Sequence, residues 1–187
     1  MQSNGIVRLI VGTSSASQEE LQSVIQLVND AFEEDAFFKV QAKRQRIKHD
    51  LRFSGGDGVE DIEDVLGKSE FLVLEEQSEV LGCIRIDAPK GNAIGSFGML
   101  SVPKRNQNRG IGKKLVFEAE CALRDRHQCK RLEISVVNIR TPVVEFYEKL
   151  GYSQFGELVD FDELLGGEFL LKEYKGIVKF MWMGKDL

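Results

Sequence analysis

Apolar residues along this chain recur with two periods. Behind Ser17 and Glu20, which have the spacing of a capping box, Leu21, Val24, Ile25, Val28 and Phe32 share one helical face. Val59, Ile62, Val65 and Leu66 make a second such stripe, and Gly67 is placed to end that helix. A third runs through Leu115, Val116, Ala119, Ala122 and Leu123 on a helix expected to begin near Gly112. For the fourth, Thr141 reads as an N-cap with Pro142 at the first helical position, and Gly151 closes it. Strand-like segments fall at Ile6–Val11, Phe71–Glu75, Val80–Ala88, Ala93–Val102, Arg131–Val137 and Ile177–Met183. Short turns at Gln77 and at Lys90-Gly91-Asn92 join the second to fourth of these, predicting an antiparallel meander. The order predicts a mixed α/β (α+β) domain: helices first, then the meander, then strand–helix–strand–helix–strand. With no repeat, low-complexity tract or linker, residues 1–187 read as one domain.

Composition removes several classes. With 42% hydrophobic and 29% charged residues, the chain suits a packed globule and not a disordered one. Its net charge of −5 argues against a general nucleic-acid binder. No apolar run approaches the roughly 20 residues of a membrane span. Met1–Gly5 lacks the regions of a signal peptide, so a cytoplasmic protein away from membranes is expected. Cys83, Cys121 and Cys129 have no metal-ligand spacing and read as reduced thiols; no metal is assigned. Neither His49 nor His127 accompanies a nucleophile in a recognised turn.

One stretch departs from the acidic average. Pro103–Lys114 holds Lys104, Arg105, Arg109, Lys113 and Lys114 with no acid among them, and Gly110 and Gly112 sit just before a helix. A glycine turn opens backbone N–H groups to a ligand, and a helix start adds unpaired donors and partial positive charge. That combination makes a phosphate site; a solvated basic loop is the other reading. Walker-type loops need Ser or Thr after the lysine, where this chain has Lys114, and Gln107 replaces their first glycine. A dinucleotide fingerprint needs Gly or Ala where Leu115 stands.

Gln107-Asn108-Arg109-Gly110-Ile111-Gly112 instead resembles the Q/R-x-x-G-x-G/A pyrophosphate loop of the GNAT family, the acyl-CoA-dependent N-acetyltransferases. Met99-Leu100-Ser101-Val102 resembles that family's fourth strand, and Lys113–Arg126 the helix after it. Phe146-Tyr147-Glu148-Lys149-Leu150-Gly151-Tyr152 resembles its second signature, a helix carrying a tyrosine and ending at Gly plus an aromatic. The resemblance implies a mixed central sheet with a V-shaped opening between strands 4 and 5 that holds acetyl-CoA. It places the pantetheine arm on the backbone of Leu100, Ser101 and Val102, and the pyrophosphate on the amides of Gln107, Asn108, Arg109, Gly110, Ile111, Gly112 and Lys113. Lys104 and Arg105 are further candidates for phosphate oxygens.

The same resemblance casts Tyr147 as the acid that protonates the departing thiolate, and the Leu100 N–H as the donor to the oxyanion. A phenol stays protonated at neutral pH and suits that task. Many family members carry an asparagine seven residues before the tyrosine; here that residue is Arg140, with Asn138 two positions earlier. Either is a candidate cofactor contact. No general base is assigned: Glu133, Glu33 and Asp35 are candidates, but each reads first as a solvated surface acid, and a water chain can also take the proton. Acids at Glu157, Asp160, Asp162, Glu163 and Glu168, and between Asp57 and Asp64, either favour a cationic acceptor or solubilise the surface. The expected activity is transfer of an acetyl group from acetyl-CoA to a primary amine, small molecule or peptide, by direct attack in a ternary complex. A non-catalytic acyl-CoA-binding domain of the same fold is the alternative. A homodimer is among the arrangements the resemblance allows.

Overall fold

The computed structural model of the chain describes residues 6–11, 17–33, 69–88, 91, 93–165 and 170–187. Within them run seven strands: β1 (Ile6–Val11), β2 (Glu70–Glu76), β3 (Glu79–Asp87), β4 (Ile94–Ser101), β5 (Arg131–Val137), β6 (Ser153–Asp160) and β7 (Lys179–Asp186). The helices are α1 (Gln18–Glu33), α2 (Ile111–Asp125), α3 (Thr141–Lys149) and the short α4 (Phe161–Leu165). The stripe at Val59–Leu66, its stop at Gly67, the acids at 57–64, His49, Asp35, Asn92 and Glu168 lie outside the described residues. No helix among those described is long and apolar enough to cross a membrane.

The strands form one sheet in the order β1-β2-β3-β4-β5-β7-β6. Every neighbouring pair is antiparallel except β4 and β5, which run parallel. Alternation along the meander sends its apolar residues to two faces. Phe71, Val73 and Cys83 pack with Leu21, Val24, Ile25 and Val28 of α1. Leu72, Leu74, Ile84 and Ile86 pack on the other face, with Ile111, Leu115, Ala119 and Leu123 of α2. Each large side chain buried this way contributes about 1.5–3 kcal/mol before entropy is counted. The sheet is thus sandwiched by α1 on one side and α2 on the other.

The capping signals act as read, with one change. Ser17 Oγ accepts the Glu20 N–H at 3.2 Å, as the capping-box spacing predicts. The Glu20 carboxylate pairs with Arg8 of β1, tying the start of α1 to the edge strand. Thr141, expected as a cap, is instead the first helical residue; Arg140 flanks the helix, and no side chain caps it. At the other end of α3, Gly151 adopts φ +90°. Its N–H donates to the Glu148 carbonyl at 2.9 Å, and the Tyr152 N–H to the Tyr147 carbonyl at 3.1 Å. This paired bonding is a Schellman motif, which needs a left-handed residue at the position Gly151 holds.

Strand β6 is an element the periodicity did not predict. It is an edge strand, mostly exposed, and its register with β7 breaks between Phe155 and Val159, around Gly156 at φ +67°. A strand with little buried face carries no alternation to read.

Candidate functional site

The parallel ladder between β4 and β5 holds only at Ile94↔Arg131 and Gly95↔Leu132. Gly95 stands at this junction because a Cβ there would lie 2.8 Å from Cys129 Sγ and 3.0 Å from Leu123 Cδ2. Beyond it the strands part, and the facing edges of Phe97–Ser101 and Ile134–Val137 line a cavity of about 1310 Å³. That exceeds the usual size of a small-ligand pocket and suits an extended ligand with a second molecule beside it. One wall comes from α1, with Gln22, Ser23, Gln26 and Asp30; the other includes Phe146 and Tyr147 of α3. Since α1 and α2 cover opposite faces, the opening passes through the sheet.

Strand β4 is bulged where it lines this opening. Its register against β3 slips between Cys83 and Arg85, and Met99 sits at φ +51°, a conformation few side chains adopt. The Met99 carbonyl accepts from Ser101 Oγ at 3.2 Å and from the Cys83 thiol at 3.9 Å. It is therefore engaged toward its own strand and β3. Leu100, Ser101 and Val102 line the cavity where no β5 partner continues the ladder.

At its far end the cavity reaches the basic turn. After a 3₁₀ turn at Lys104–Asn106, Asn108 and Gly110 take φ +60° and +79°, and α2 begins at Ile111. A Cβ on Gly110 would meet nothing within 4 Å, so the glycine serves the backbone angle and leaves open space above the turn. Lys114 N–H makes the first intrahelical bond, to Gly110 O at 3.0 Å, so the preceding amides of the helix start are the ones offered outward. Left-handed residues followed by a helix N-terminus form a concave donor set that fits a pyrophosphate.

The structure sorts the basic residues. Gln107, Asn108, Gly110, Ile111, Gly112 and Lys113 line the cavity, as do Lys104 and Arg105. The Arg109 guanidinium is turned aside, onto Asn106 Oδ1 at 2.9 Å and Glu76 Oε2 at 3.1 Å. Arg105 reaches Glu79 at 2.9 Å, and Gln107 Nε2 donates to the Val102 carbonyl at 3.0 Å. Much of the turn's polar side-chain capacity thus shapes the loop, and its main chain carries the donors.

Tyr147 is 7% exposed yet forms part of the cavity wall. Its ring packs between Phe146, Phe97 and Tyr152, with centroids 5.1, 6.0 and 5.7 Å away. Burial pushes its phenol well above the ordinary value, and the charge of Arg140 works against that shift. Arg140 also lines the cavity. Asn138 does not: its Nδ2 donates to the Ile177 carbonyl at 3.1 Å and its Oδ1 accepts the Lys179 N–H at 2.8 Å. Glu133 is buried beside Arg131, 3.1 Å from its Nε, away from the cavity wall. Asp160 accepts the first amides of α4, and Asp162 accepts the Leu170 N–H, so both serve the loop before β7. His127 lies 3.2 Å from Glu70, outside the cavity.

Two features of the wall are not singled out by the sequence pattern. One is the bulge at Met99, since methionine is not a residue of left-handed turns. The other is Arg85, 6% exposed, which lines the cavity and donates from Nε to Asp87 Oδ2 at 2.8 Å. Burial raises the Asp87 carboxyl, and Arg85 opposes the rise. A charged residue between Ile84 and Ile86 was the available signal, lost among ordinary strand alternation.

Residues 67–154 match the family profile described as an acetyltransferase (GNAT) domain. No curated protein matches the sequence significantly. Among solved structures, the chain is similar to a ribosomal-protein-alanine N-acetyltransferase from Brucella melitensis, at 15% identity and a TM-score of 0.64, over 97% of this chain and 99% of that one. It is similar to a GNAT family acetyltransferase from Elizabethkingia anophelis with acetyl-CoA bound, at 19% identity and a TM-score of 0.57, over 67% and 81%. It is likewise similar to an acetyltransferase of the GNAT family from Streptococcus pneumoniae, at 18% identity and a TM-score of 0.60, over 98% and 100%. The mixed sheet with its parallel β4–β5 pair is the fold these proteins share.

Proposed function

Because residues 67–154 match the acetyltransferase (GNAT) domain profile and the described fold is similar to that of GNAT acetyltransferases, we propose that this protein transfers the acetyl group of acetyl-CoA to a primary amine. The observation that carries the reading is the split of β4 from β5: it opens a cavity running from a phosphate-shaped helix start to a buried tyrosine. When bound, acetyl-CoA supplies a thioester carbonyl activated for attack and a thiol leaving group. The main chain of Leu100–Val102 offers strand-like pairing to the amides of the pantetheine arm. The turn from Gln107 to Lys113 holds the pyrophosphate. The Leu100 N–H, on the bulged strand, stabilises negative charge on the carbonyl oxygen. As the amide C–N bond forms and the C–S bond breaks, Tyr147, protonated at neutral pH, gives its proton to the departing sulfur, and the proton lost by the amine returns to the tyrosine through water.

Direct attack by the amine within a ternary complex fits the thiols present. Cys83, Cys121 and Cys129 all lie off the cavity wall, and burial raises Cys83 and Cys129, which leaves those two poor nucleophiles. The acceptor, a small molecule or a peptide terminus, enters along the polar stripe of α1.

The test has two parts. Acetyl-CoA at about 100 times its Kd should stabilise the fold by ~2.7 kcal/mol in thermal melts, with CoA acting likewise and ATP and NAD not. Thiol release across a panel of primary amines should then identify turnover, and Tyr147→Phe should slow it by about a hundredfold while acetyl-CoA binding persists. No stabilisation by acetyl-CoA would overturn the reading. Binding without turnover of any amine would leave a non-catalytic acyl-CoA-binding domain.

A further inference from the structure

The hydroxyl of Tyr147 makes no hydrogen bond among the described residues, so the placement of that oxygen depends on what holds its ring. Three rings do so: Phe97, Phe146 and Tyr152. Only Tyr152 has a polar anchor of its own. It grips Tyr147 twice, by its N–H on the Tyr147 carbonyl at 3.1 Å and by an edge-to-face ring contact at 5.7 Å and 71°. Tyr152 is 2% exposed, and its hydroxyl donates to Glu120 Oε1 of α2 at 3.0 Å. Glu120 in turn accepts from Lys185 Nζ of β7 at 2.8 and 2.9 Å, and the same ammonium lies 5.4 Å over the Tyr152 ring. Gly151, at φ +90°, makes the turn that brings Tyr152 to this place.

We propose that Glu120 and Lys185 are positioning residues that, by locking Tyr152, fix where the Tyr147 hydroxyl stands in the cavity wall. None of Tyr152, Glu120 and Lys185 lines the cavity, so each acts from behind the wall. An ion pair this sheltered contributes little net folding free energy, because desolvation offsets its attraction. What it does supply is direction. The hydroxyl of Tyr152 accepts one rotamer of its ring, and that ring blocks the tilting of Tyr147 about the end of α3. The chain from β7 through α2 to the end of α3 joins three elements at one point behind the cleft. The proposal rests on reading Tyr147 as the proton donor.

The test uses variants that spare the packing. Tyr152→Phe removes only the hydroxyl; Glu120→Gln keeps an acceptor oxygen but removes the partner charge of Lys185; Lys185→Met removes the ammonium and Lys185→Arg restores a cation. The chain has three tyrosines, so ring-labelled tyrosine gives three assignable resonances in the unliganded protein at neutral pH. Tyr152→Phe, Glu120→Gln and Lys185→Met should each move the Tyr147 resonance toward that of free tyrosine, and Lys185→Arg should return it. With the amine found above, kcat should fall about tenfold while KM for acetyl-CoA holds, since displacing a catalytic group by a fraction of an ångström acts on the chemical step. A Tyr147 resonance that stays in place in all these variants overturns the proposal, as does an undiminished kcat beside a slow Tyr147→Phe enzyme. If Tyr147→Phe itself turns over at full rate, the donor reading is what fails, and the resonances still report whether Tyr152 holds the ring.

Discussion

At the scale of single residues, the two glycines of the basic turn look alike in sequence and do different work. Gly110 is needed for its φ of +79° and has no neighbour within 4 Å, whereas a Cβ on Gly112 would meet the Phe146 ring at an ordinary 3.5 Å. Gly110→Ala should therefore destabilise the unliganded protein by about 1 kcal/mol through backbone strain alone. Gly112→Ala, in the first turn of a helix and without strain, should leave stability unchanged or slightly raised. Gly110→Ala sets a methyl group in the open space above the turn and Gly112→Ala sets one against Phe146, and with the pyrophosphate held as proposed both should weaken acetyl-CoA binding. Melting curves with and without acetyl-CoA separate the two effects. Equal losses of unliganded stability would mean that conformation does not distinguish the sites.

At the scale of elements, Asn138 is the informative case. Its side-chain amide spans the Ile177 carbonyl and the Lys179 N–H, continuing the β5–β7 pairing one step past the end of β5. Asn138→Ala leaves both backbone groups to solvent and should cost about 1–2 kcal/mol. Acetyl-CoA affinity of the folded protein should not change, whereas loss of affinity at full stability would make Asn138 a ligand contact. The sequence carried most of this architecture. The meander and β5 were legible as apolar runs set between turns, α2 as a stripe of period 3.6, and α3 from Pro142 at its start and Gly151 at its end. The turn at 107–113 was legible as a candidate anion site because Gly110, Gly112 and the basic residues around them are rare together in an acidic chain. Strand β6 was not, since residues such as Glu157 and Leu158 are exposed and bury no face. The bulge at Met99 and the anchoring of Tyr152 by Glu120 and Lys185 were not either. They arise from contacts between residues far apart in the chain, which no local pattern records.

At the scale of the whole molecule, several groups that hold their protons lie deep in the fold. Burial lifts Cys83 from 9.0 to about 12, and it also raises Cys129, Tyr147 and Tyr152. Each keeps its proton when folded at a pH where the unfolded chain releases it, so stability is full below pH 9 and falls as pH rises toward the folded values. Cys83 alone should cost about 1.4 kcal/mol by pH 10. Melts between pH 8 and 11 should show the decline, and Cys83→Ala should flatten part of it; a melting temperature constant over that range would contradict the burial. The same sheet has a mechanical side. It is two leaves, β1–β4 and β5–β7–β6, bound along a spine only two residue pairs long. At the open end no backbone ladder joins the leaves, and what unites them there is the side-chain core that both share. A molecule laid along the gap with amides of its own would become the missing rung, and the two leaves would then move as one plate.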